Sequence, residues 1–292
     1  MLTPDLRDRV LDRLGLSTTP AADIEGLRAV YGAWCESVNF DNIAKLIALR
    51  TAAAESFPGI DANEFFERWL THHVGGTCWT SSNALFELVA SLGFEARRIA
   101  GSMRDTGIVS HGSVKVALDG IDWLVDSSML TRVPLPLTES LFANNEQVFS
   151  AEVEYVDGTH IIWSDLPPSP SYMPCRLLVD PAPHAFYVER WEASRDRSPF
   201  NQRLYALRNT GADRLVLSGP ERIRKTPEGT QRETLNASQV CESLRGEFGV
   251  SVAILDVFRD SGALNASLEP ATGPSPTPIT RKPPSQRVGY RN

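Results

Sequence analysis

The chain has 292 residues, of which 42% are hydrophobic and 22% are charged, and its formal net charge is −7. This composition is typical of a globular protein with a real core, and the acidic balance argues against nucleic acid as a partner. No apolar run reaches the roughly 18 residues that span a membrane, and the N-terminus lacks the apolar stretch of a signal peptide. We therefore expect neither a nucleic-acid nor a membrane partner.

The first part of the chain, residues 1–95, is predicted to be a helical domain. Apolar residues recur there at spacings of three and four, which is the period of an α-helix with one buried face. Asp23 is a suitable N-cap, and Gly93 is a suitable residue to end the last helix. The predicted helices are Asp5 to Leu16, Asp23 to Ser37, Asn63 to Thr71 and Ser81 to Leu92.

From about Ala96 the apolar period changes to two, which indicates β-strands. Residues 96–197 are predicted to form a small antiparallel barrel or sheet, with prolines between many of the strands. Besides one clear hairpin, the predicted strands are Gln147 to Tyr155, His160 to Trp163, Cys175 to Val179 and Ala185 to Arg190.

A third unit is predicted over residues 198–259, followed by a tail over 260–292. The unit combines successive short strands in LYALRNT, DRLVLSGP, RIRKT and QRETL with a helix, Ala237 to Phe248, and a last strand, Val250 to Phe258. The tail is polar and rich in proline, a composition that cannot build a core, so we predict that it is disordered.

The hairpin GSVKVALDGIDWLVDSS has Asp119–Gly120 as its two-residue turn, which fixes the register of its two strands. One face is then apolar, with Val114 opposite Val125, Val116 opposite Trp123 and Leu118 opposite Ile121. The other face is polar and carries His111, Ser113, Lys115, Asp122 and Asp126. His111 and Asp126 are diagonal neighbours, close enough for the aspartate to orient the imidazole and stabilise its cation. The alternative is that this polar face is only the rim of a sheet, without a catalytic role. Asp122 is equally polar and lies nearby, and in that case it pairs with some other group.

Cys78 stands between a glycine turn, Gly75–Gly76, and a helical segment. A thiol at a helix N-terminus, with an imidazolium near it, favours the thiolate nucleophile. The other three cysteines lie inside apolar patterns, as buried structural thiols do: Cys35, Cys175 and Cys241. No pair has CxxC spacing, so we expect no metal site, no disulfide framework and a reduced, cytoplasmic location.

The order Cys78, His111, Asp126 resembles that of the arylamine N-acetyltransferases. Other segments are similar to motifs of that family: VNFDNI to its P-F-E-N-L, GGTC to its R-G-G-x-C, LGFEARRIAG to the strand after the cysteine helix, HGSVKVALDGIDWLVD to the His-to-Asp hairpin, and SPFNQRLYALRNTGADRLVLSG with LRGEFGVSV to its C-terminal region. The similarity covers about residues 27–252, with the motifs in the family's order.

The resemblance implies an α+β, three-domain fold: a helical bundle, an antiparallel β-barrel and an α/β lid, with a Cys-His-Asp triad like that of cysteine proteases. It implies that Cys78 is the nucleophile, His111 its base and Asp126 the orienting residue. The enzyme would then be an acyltransferase that moves an acyl group, acetyl by default, from acyl-CoA through acyl-Cys78 to an arylamine, a hydrazine or another amine. No permanently bound cofactor is implied, and acetyl-CoA is a co-substrate.

Several positions near the predicted triad depart from the family's pattern. The arginine before Gly-Gly is Val74, the asparagine four residues after the cysteine is Ser82, and V-G-F-G after the aspartate is the segment 127–130. The glutamate and proline of P-F-E-N-L are Asp41 and Asn39. The triad is thus kept while the predicted walls of the substrate pocket differ.

These departures leave the donor and the reaction open. One alternative is an amide synthase that takes its acyl chain from a carrier protein, and another is a cysteine hydrolase or transglutaminase-like enzyme; a non-catalytic scaffold is a further one.

The candidates for lining the acceptor pocket are Phe40, Trp79 and Met129. No motif marks the residues that bind CoA phosphates, although three arginines are candidates: Arg97, Arg98 and Arg104.

Overall fold

The computed structural model describes residues 1–51, 57–144, 146–169, 171–270, 279 and 281–287. The N-terminal part is mostly helical, as predicted, because each helix buries one apolar side against its neighbours. Its helices are α1 Pro4–Arg13, α2 Ile24–Ser37, α3 Ile43–Thr51, α4 Ala62–His72 and α5 Cys78–Ser91. Side chains of Thr3, Asp23 and Asp61 cap α1, α2 and α4. No helix in the described ranges is long and apolar enough to cross a membrane.

The central part of the chain forms an eight-stranded antiparallel sheet. Its strands are β2 Glu95–Met103, β3 His111–Leu118, β4 Ile121–Val125, β5 Leu135–Pro136, β6 Phe142–Ala143, β7 Ala151–Val156, β8 Thr159–Ser164 and β9 Met173–Val179. They lie in the order β5-β4-β3-β2-β9-β8-β7-β6. Helix α5 packs on β2 and β3 and shares a hydrophobic core with them, so the cysteine helix lies directly on the hairpin.

The predicted hairpin register is confirmed. Val114 pairs with Val125, Val116 with Trp123 and Leu118 with Ile121. Asp119 and Gly120 both have positive φ, as a two-residue hairpin turn requires. The turn chemistry and the alternating pattern together fixed which residues share a face.

A second antiparallel sheet packs against helix α2 of the N-terminal part. Its strands are β1 Phe40–Asp41, β10 Tyr205–Thr210, β11 Asp213–Ser218, β12 Glu221–Thr226 and β13 Gly229–Thr234, in the order β1-β10-β11-β12-β13. A separate hydrophobic cluster joins this sheet to α3 and to three C-terminal helices, α7 Ala237–Gly246, α8 Val252–Asp260 and α9 Ala263–Leu268. The short strand β1 thereby connects this sheet to the segment that precedes Cys78.

Two predicted strands are helices. Residues 185–190 lie in α6 His184–Ala193, which buries Tyr187 and Trp191 one turn apart. Residues 252–258 lie in α8, which the Ser251 side chain caps and which buries Leu255 and Phe258. In both segments β-prone aromatic and branched residues suggested strands, but the buried positions follow the helical spacing of three and four. Helix α3 was not predicted.

The predicted disorder of residues 260–292 is wrong for part of that segment. Helix α9 buries Ala263 and Leu264. Further on, the Ser285 amide donates to Glu152 at 3.1 Å, and Arg287 Nη2 donates to Glu154 at 2.8 Å. The polar composition is therefore compatible with packing by ion pairs on β7. The rest of the tail lies outside the described residues, and the domain boundaries at 95, 197 and 259 stay predictions.

Candidate active site

Cys78 is the first residue of α5. Thr77 precedes it in extended conformation, so the helix begins at the cysteine. The N–H groups of a first helical turn have no partner within the helix and point towards its N-terminus. The Sγ atom donates a weak hydrogen bond to the Ser110 carbonyl at 3.8 Å, and the residue is 6% exposed. The thiol therefore lies between the start of a helix and the start of β3.

The two glycines before Cys78 are needed for close packing, Gly75 against the segment at β1 and Gly76 against α5. A Cβ atom on Gly75 would lie 1.7 Å from the Asn39 carbonyl oxygen, and one on Gly76 would lie 2.2 Å from Thr80 Oγ1. The Gly75 amide donates to the Asp41 carboxylate at 2.6 Å. Burial raises the pKa of Asp41 to about 6, against the effect of this hydrogen bond. The glycine turn is thus fixed to the segment that resembles P-F-E-N-L.

His111 and Asp126 form a hydrogen-bonded pair on the polar face of the hairpin. His111 Nε2 lies 2.7 Å from Asp126 Oδ2, and both side chains are almost completely buried. Asp122, the alternative partner, contacts Lys115 and Arg97 instead. Because Nε2 is engaged by Asp126, Nδ1 is the ring nitrogen that remains for the thiol. The structure thus brings together the imidazole and the carboxylate that the hairpin register predicted.

In this pair each side chain stabilises the charged form of the other. Burial by itself lowers the pKa of His111, but the negative charge of Asp126 and hydrogen bonds with Asp126 and Cys78 outweigh it and raise the pKa well above its ordinary value. Burial raises the pKa of Asp126, and the positive charge of His111 more than reverses this and lowers it. The arrangement favours an imidazolium beside the Cys78 sulfur and an ionised Asp126.

The loop after β4 holds the aspartate in place. Asp126 Oδ1 accepts hydrogen bonds from the Ser128 and Met129 amides at 2.8 and 2.9 Å. The Tyr31 hydroxyl donates to the Asp126 carbonyl at 2.9 Å. Arg214 of β11, which is 1% exposed, donates to the Met129 and Leu130 carbonyls at 2.8 and 2.9 Å. The carboxylate can therefore use its other oxygen for His111 without turning.

Two of the departures from the family pattern contact each other. The Ser82 hydroxyl donates to the Gly112 carbonyl at 2.7 Å and lies 2.8 Å from Ser127 Oγ. The next residue, Asn83, points away and bonds to Ile60 and Arg98. Ser82, not Asn83, therefore faces the hairpin, and it forms a buried polar bridge between α5 and the residue after Asp126.

The three candidate pocket residues are each 4% exposed or less. The Phe40 ring packs against Phe200 and Tyr205 with centroids 5.3 and 5.9 Å apart. Trp79, the residue after Cys78, packs edge-on against Tyr187 with centroids 5.1 Å apart. Met129 lies in the loop after Asp126. Contact of these three residues with a substrate stays a prediction.

All three arginines considered for CoA binding have interactions within the protein. Arg97 pairs with Asp122 and Asp180, and Arg98 pairs with Glu87. Their charges are therefore used within the protein, which does not favour them as phosphate ligands. Arg104 adopts positive φ after β2.

Two buried cations in this part of the structure were not predicted from the sequence. Lys45 lies on α3, a helix that the periodicity did not reveal, and Arg214 lies in a strand that reads as an ordinary amphipathic one. A single lysine between apolar neighbours in IAKLIAL was the one available signal for Lys45. Which partners either cation has depends on chain segments far away in sequence.

Comparison with known proteins agrees with the predicted family. A family model described as N-acetyltransferase matches residues 23–155. A curated arylamine N-acetyltransferase of Mycolicibacterium smegmatis is 27% identical over 125 residues, which is 40% of this chain and 43% of that protein. The aligned region thus spans less than half the length of this curated relative.

Solved structures extend the similarity over nearly the whole fold. A cysteine-to-glutamine variant of a Mycobacterium smegmatis arylamine N-acetyltransferase has a TM-score of 0.76 and 20% identity, covering 90% of this chain and 98% of its own. The Mycobacterium marinum arylamine N-acetyltransferase in complex with CoA has a TM-score of 0.74 and 19% identity, covering 89% and 97%. At such identities the likeness shows the fold, and the predicted α+β, arylamine N-acetyltransferase-like fold is confirmed.

The family-model match includes the segment that holds Cys78, His111 and Asp126, and the structural match with the Mycobacterium smegmatis protein extends over 90% of the chain. Both kinds of similarity are to proteins described as N-acetyltransferases. The chain is thus similar to N-acetyltransferases over residues 23–155, and it has the fold of the solved arylamine N-acetyltransferases.

Proposed function

We propose that the protein is a cysteine-dependent N-acyltransferase that moves an acyl group from a CoA thioester to an amine through an acyl-Cys78 intermediate. The observation that carries the proposal is the His111–Asp126 pair, buried beside a thiol at the start of a helix. A base next to a cysteine, held by a third group, is the arrangement that activates a thiol for covalent catalysis.

In the proposed first half-reaction, the Cys78 sulfur attacks the carbonyl carbon of the thioester. The C–S bond to CoA breaks, and the proton on His111 passes to the departing CoA sulfur. Backbone N–H groups at the start of α5 are placed to stabilise the oxyanion that forms in between. Asp126 holds the ring so that Nδ1 faces the sulfur, and it stabilises the imidazolium before the proton leaves.

In the proposed second half-reaction, an amine nitrogen attacks the acyl carbon of acyl-Cys78. His111, now neutral, accepts the proton of the amine, the C–S bond to Cys78 breaks, and an amide forms. The protein returns to its starting state with a thiolate and an imidazolium. Because CoA leaves before the amine reacts, the kinetics are expected to be ping-pong.

The relatives support the choice of substrates. The curated relative and the structural neighbours named above are arylamine N-acetyltransferases, and the one from Mycobacterium marinum is in complex with CoA. We therefore propose acetyl-CoA or a related acyl-CoA as donor and an arylamine, hydrazine or similar amine as acceptor. These comparisons give no support to a carrier-protein donor or to hydrolysis. The cytoplasmic location stays a prediction.

The proposal is tested by the mass of the intact protein after incubation with acetyl-CoA, with longer acyl-CoAs and with an acyl-carrier thioester. We expect one acyl group on the wild type and none on Cys78→Ala. Cys241→Ala is the matched control, because Cys241 is half-buried on α7 and packs against a different hydrophobic cluster from that of Cys78, and its variant should keep the adduct. The adduct should disappear when an arylamine is added, with formation of the amide.

The other outcomes identify the alternatives. An adduct from the carrier thioester alone would replace this proposal by the amide synthase. An adduct that reverts with water at the same rate with or without amine would indicate a hydrolase. No adduct from any donor, on folded protein with reduced thiols, would exclude thioester acyl transfer.

A further inference from the structure

Tyr31 on α2 is completely buried, and its hydroxyl lies between the two ends of the loop that follows β4. The hydroxyl donates to the Asp126 carbonyl at 2.9 Å. It accepts from the Asp126 amide at 3.2 Å and from the Thr131 amide at 3.3 Å. Both ends of the segment 126–131, which we call the aspartate loop, are thus bound to one oxygen atom.

The Tyr31 hydroxyl uses its whole hydrogen-bonding capacity on the aspartate loop. A phenol has one proton to donate and two lone pairs that accept, and its three contacts with backbone groups match this number. Burial raises the pKa of Tyr31 well above its ordinary value, so the oxygen keeps its proton at neutral pH. Tyr31 therefore acts as a neutral donor and acceptor that holds the backbone at two points.

The aspartate loop needs such contacts because its own backbone is strained. Leu130 has a φ of 47°, in the left-handed region that a bulky residue seldom adopts. The Leu130 carbonyl accepts from Arg214 at 2.9 Å and from Asn209 at 2.8 Å, which holds the middle of the loop from β11 and β10. Tyr31 holds the two ends from α2, a helix whose Trp34 packs against two phenylalanine rings in the core.

The shape of the aspartate loop sets the direction of the Asp126 carboxylate. Its Oδ1 accepts from the amides of Ser128 and Met129, which belong to the same loop. Its Oδ2 is thereby left for His111 at 2.7 Å. A movement of the loop would turn the carboxylate and lengthen its hydrogen bond to the imidazole.

We propose that Tyr31 is a positioning residue, whose hydroxyl fixes the aspartate loop so that Asp126 stays aligned with His111 during acyl transfer. This inference rests on the proposed acyltransferase function and adds to it a residue that acts only through Asp126. Alignment matters because a displacement of about 1 Å can slow an enzyme about 100-fold. The effect should fall on the rate of the chemical step and not on the binding of acyl-CoA.

The kinetic test follows the formation of acyl-Cys78 by intact mass in quenched samples, with acetyl-CoA and without an amine. Tyr31→Phe removes the hydroxyl and keeps the ring, and it should lower the maximal rate about tenfold or more. The acetyl-CoA concentration that gives half of this rate should change by less than about twofold. Tyr205→Phe is the matched control, because it removes a hydroxyl that donates to the Pro167 carbonyl at 2.7 Å. Its rate should stay close to that of the wild type.

A spectroscopic test does not depend on activity. The ring proton signals of His111, followed by NMR against pH, should titrate at lower pH in Tyr31→Phe than in the wild type. The reason is that a misaligned Asp126 stabilises the imidazolium less. A loss of global stability alone would not move this titration in folded protein, and thermal unfolding checks that each variant is folded. Tyr205→Phe should titrate as the wild type does.

Thr131 offers a second pair of variants at the far end of the aspartate loop. Its hydroxyl lies 3.0 Å from that of Tyr31 and donates to the Val133 carbonyl. Thr131→Val removes this hydroxyl but keeps the amide that binds Tyr31, so it should lower the rate and the titration of His111 to a smaller extent. Thr131→Ser keeps the hydroxyl and should behave like the wild type. If Tyr31→Phe did not fold, equal titrations in these two variants would overturn the inference.

Three results would overturn the inference while an acyl adduct on Cys78 upheld the proposed function. One is a rate and a His111 titration in Tyr31→Phe equal to those of the wild type, and another is an equal loss in Tyr31→Phe and Tyr205→Phe. The third is a change in the half-saturating concentration at an unchanged maximal rate, which would assign Tyr31 to substrate binding. If the wild type formed no acyl adduct, the proposed function would fail, and the His111 titration would still decide whether Tyr31 positions Asp126.

Discussion

His111 Nε2 lies 2.7 Å from Asp126 Oδ2, on side chains that are 4% and 1% exposed. In this setting the carboxylate charge is screened little by water, so it acts strongly on the imidazole. It keeps the ring in one orientation and favours the cation next to Cys78. The pair is therefore the part of the structure on which the proposed chemistry depends most directly.

Asp126→Asn should lower the pKa of His111 and slow formation of acyl-Cys78. The substitution removes the charge that raises this pKa but keeps the size of the side chain. We expect a loss in acyl transfer on the order of 10³-fold or more, since an amide supports the wrong tautomer of the ring. The ring proton signals of His111, followed by NMR against pH, should titrate at lower pH than in the wild type.

Asp122→Asn is the control for that experiment, because Asp122 lies on the same hairpin and binds Lys115 and Arg97. It should leave the titration of His111 close to that of the wild type. An equal shift in both variants would mean that general negative charge, not the direct hydrogen bond, sets the pKa of His111.

Arg214→Met should destabilise the protein by about 3 kcal/mol and also slow acyl transfer. The guanidinium is fully buried and donates to three backbone carbonyls, those of Met129, Leu130 and Asp165. Its loss leaves buried carbonyl groups without donors in the loop that orients Asp126. Urea unfolding monitored by tryptophan fluorescence gives the change in the free energy of unfolding.

Arg224→Met on the neighbouring strand provides the comparison, because that arginine is half-exposed and pairs with Asp213. A surface substitution of this kind should change the free energy of unfolding by less than about 0.5 kcal/mol. If both variants were equally stable, the carbonyl contacts of Arg214 would contribute little.

Ser82→Ala and Ser127→Ala should each lower the free energy of unfolding by about 1 kcal/mol. The double variant should lower it by less than the sum of the two single effects. The two hydroxyls lie 2.8 Å apart in the core, so removal of one leaves the other without its partner. A double-mutant cycle in urea measures this coupling. Additive effects would show that the hydroxyls do not depend on each other. Ser91→Ala, on the same helix with only a local bond to Leu88, should show no coupling to Ser127→Ala.

The stability difference between the wild type and Lys45→Met should depend on pH. Burial lowers the pKa of Lys45 from 10.5 to about 8. Below pH 8 the folded and unfolded forms of the wild type both carry the charge, and the fold bears its full desolvation cost. Between pH 8 and 10.5 the folded form loses the proton first, so the unfolded chain binds more protons and the free energy of unfolding rises with pH.

Relative to Lys45→Met, the wild type should therefore gain up to about 3 kcal/mol over this pH range. The measurement is chemical unfolding of both proteins at several pH values, with the difference taken at each pH so that other titrating groups cancel. A difference that is constant from pH 7 to pH 10.5 would contradict the lowered pKa of Lys45.

Local sequence determined the elements whose signals lie within a few residues of one another. The Asp119–Gly120 turn and the alternating pattern around it fixed the register of β3 and β4, and hence the meeting of His111 with Asp126. The Gly75–Gly76 turn placed Cys78 at a helix start, because few other residues tolerate the contacts there. For the hairpin the physical cause, a turn geometry, is contained in the segment itself. For Gly75 the steric limit comes from Asn39, which lies outside the segment, although the glycine pair marks the turn in the sequence.

Only the tertiary structure decided the features that depend on distant partners. Residues 185–190 and 252–258 are helical because residues three or four positions apart pack against the rest of the protein and are buried. Their side chains would also suit strands. Burial beneath chain segments far away in sequence lowers the pKa of Lys45, and Arg214 holds a loop more than eighty residues before it. The energies of such groups depend on desolvation and on long-range partners, and no local pattern of residues encodes either.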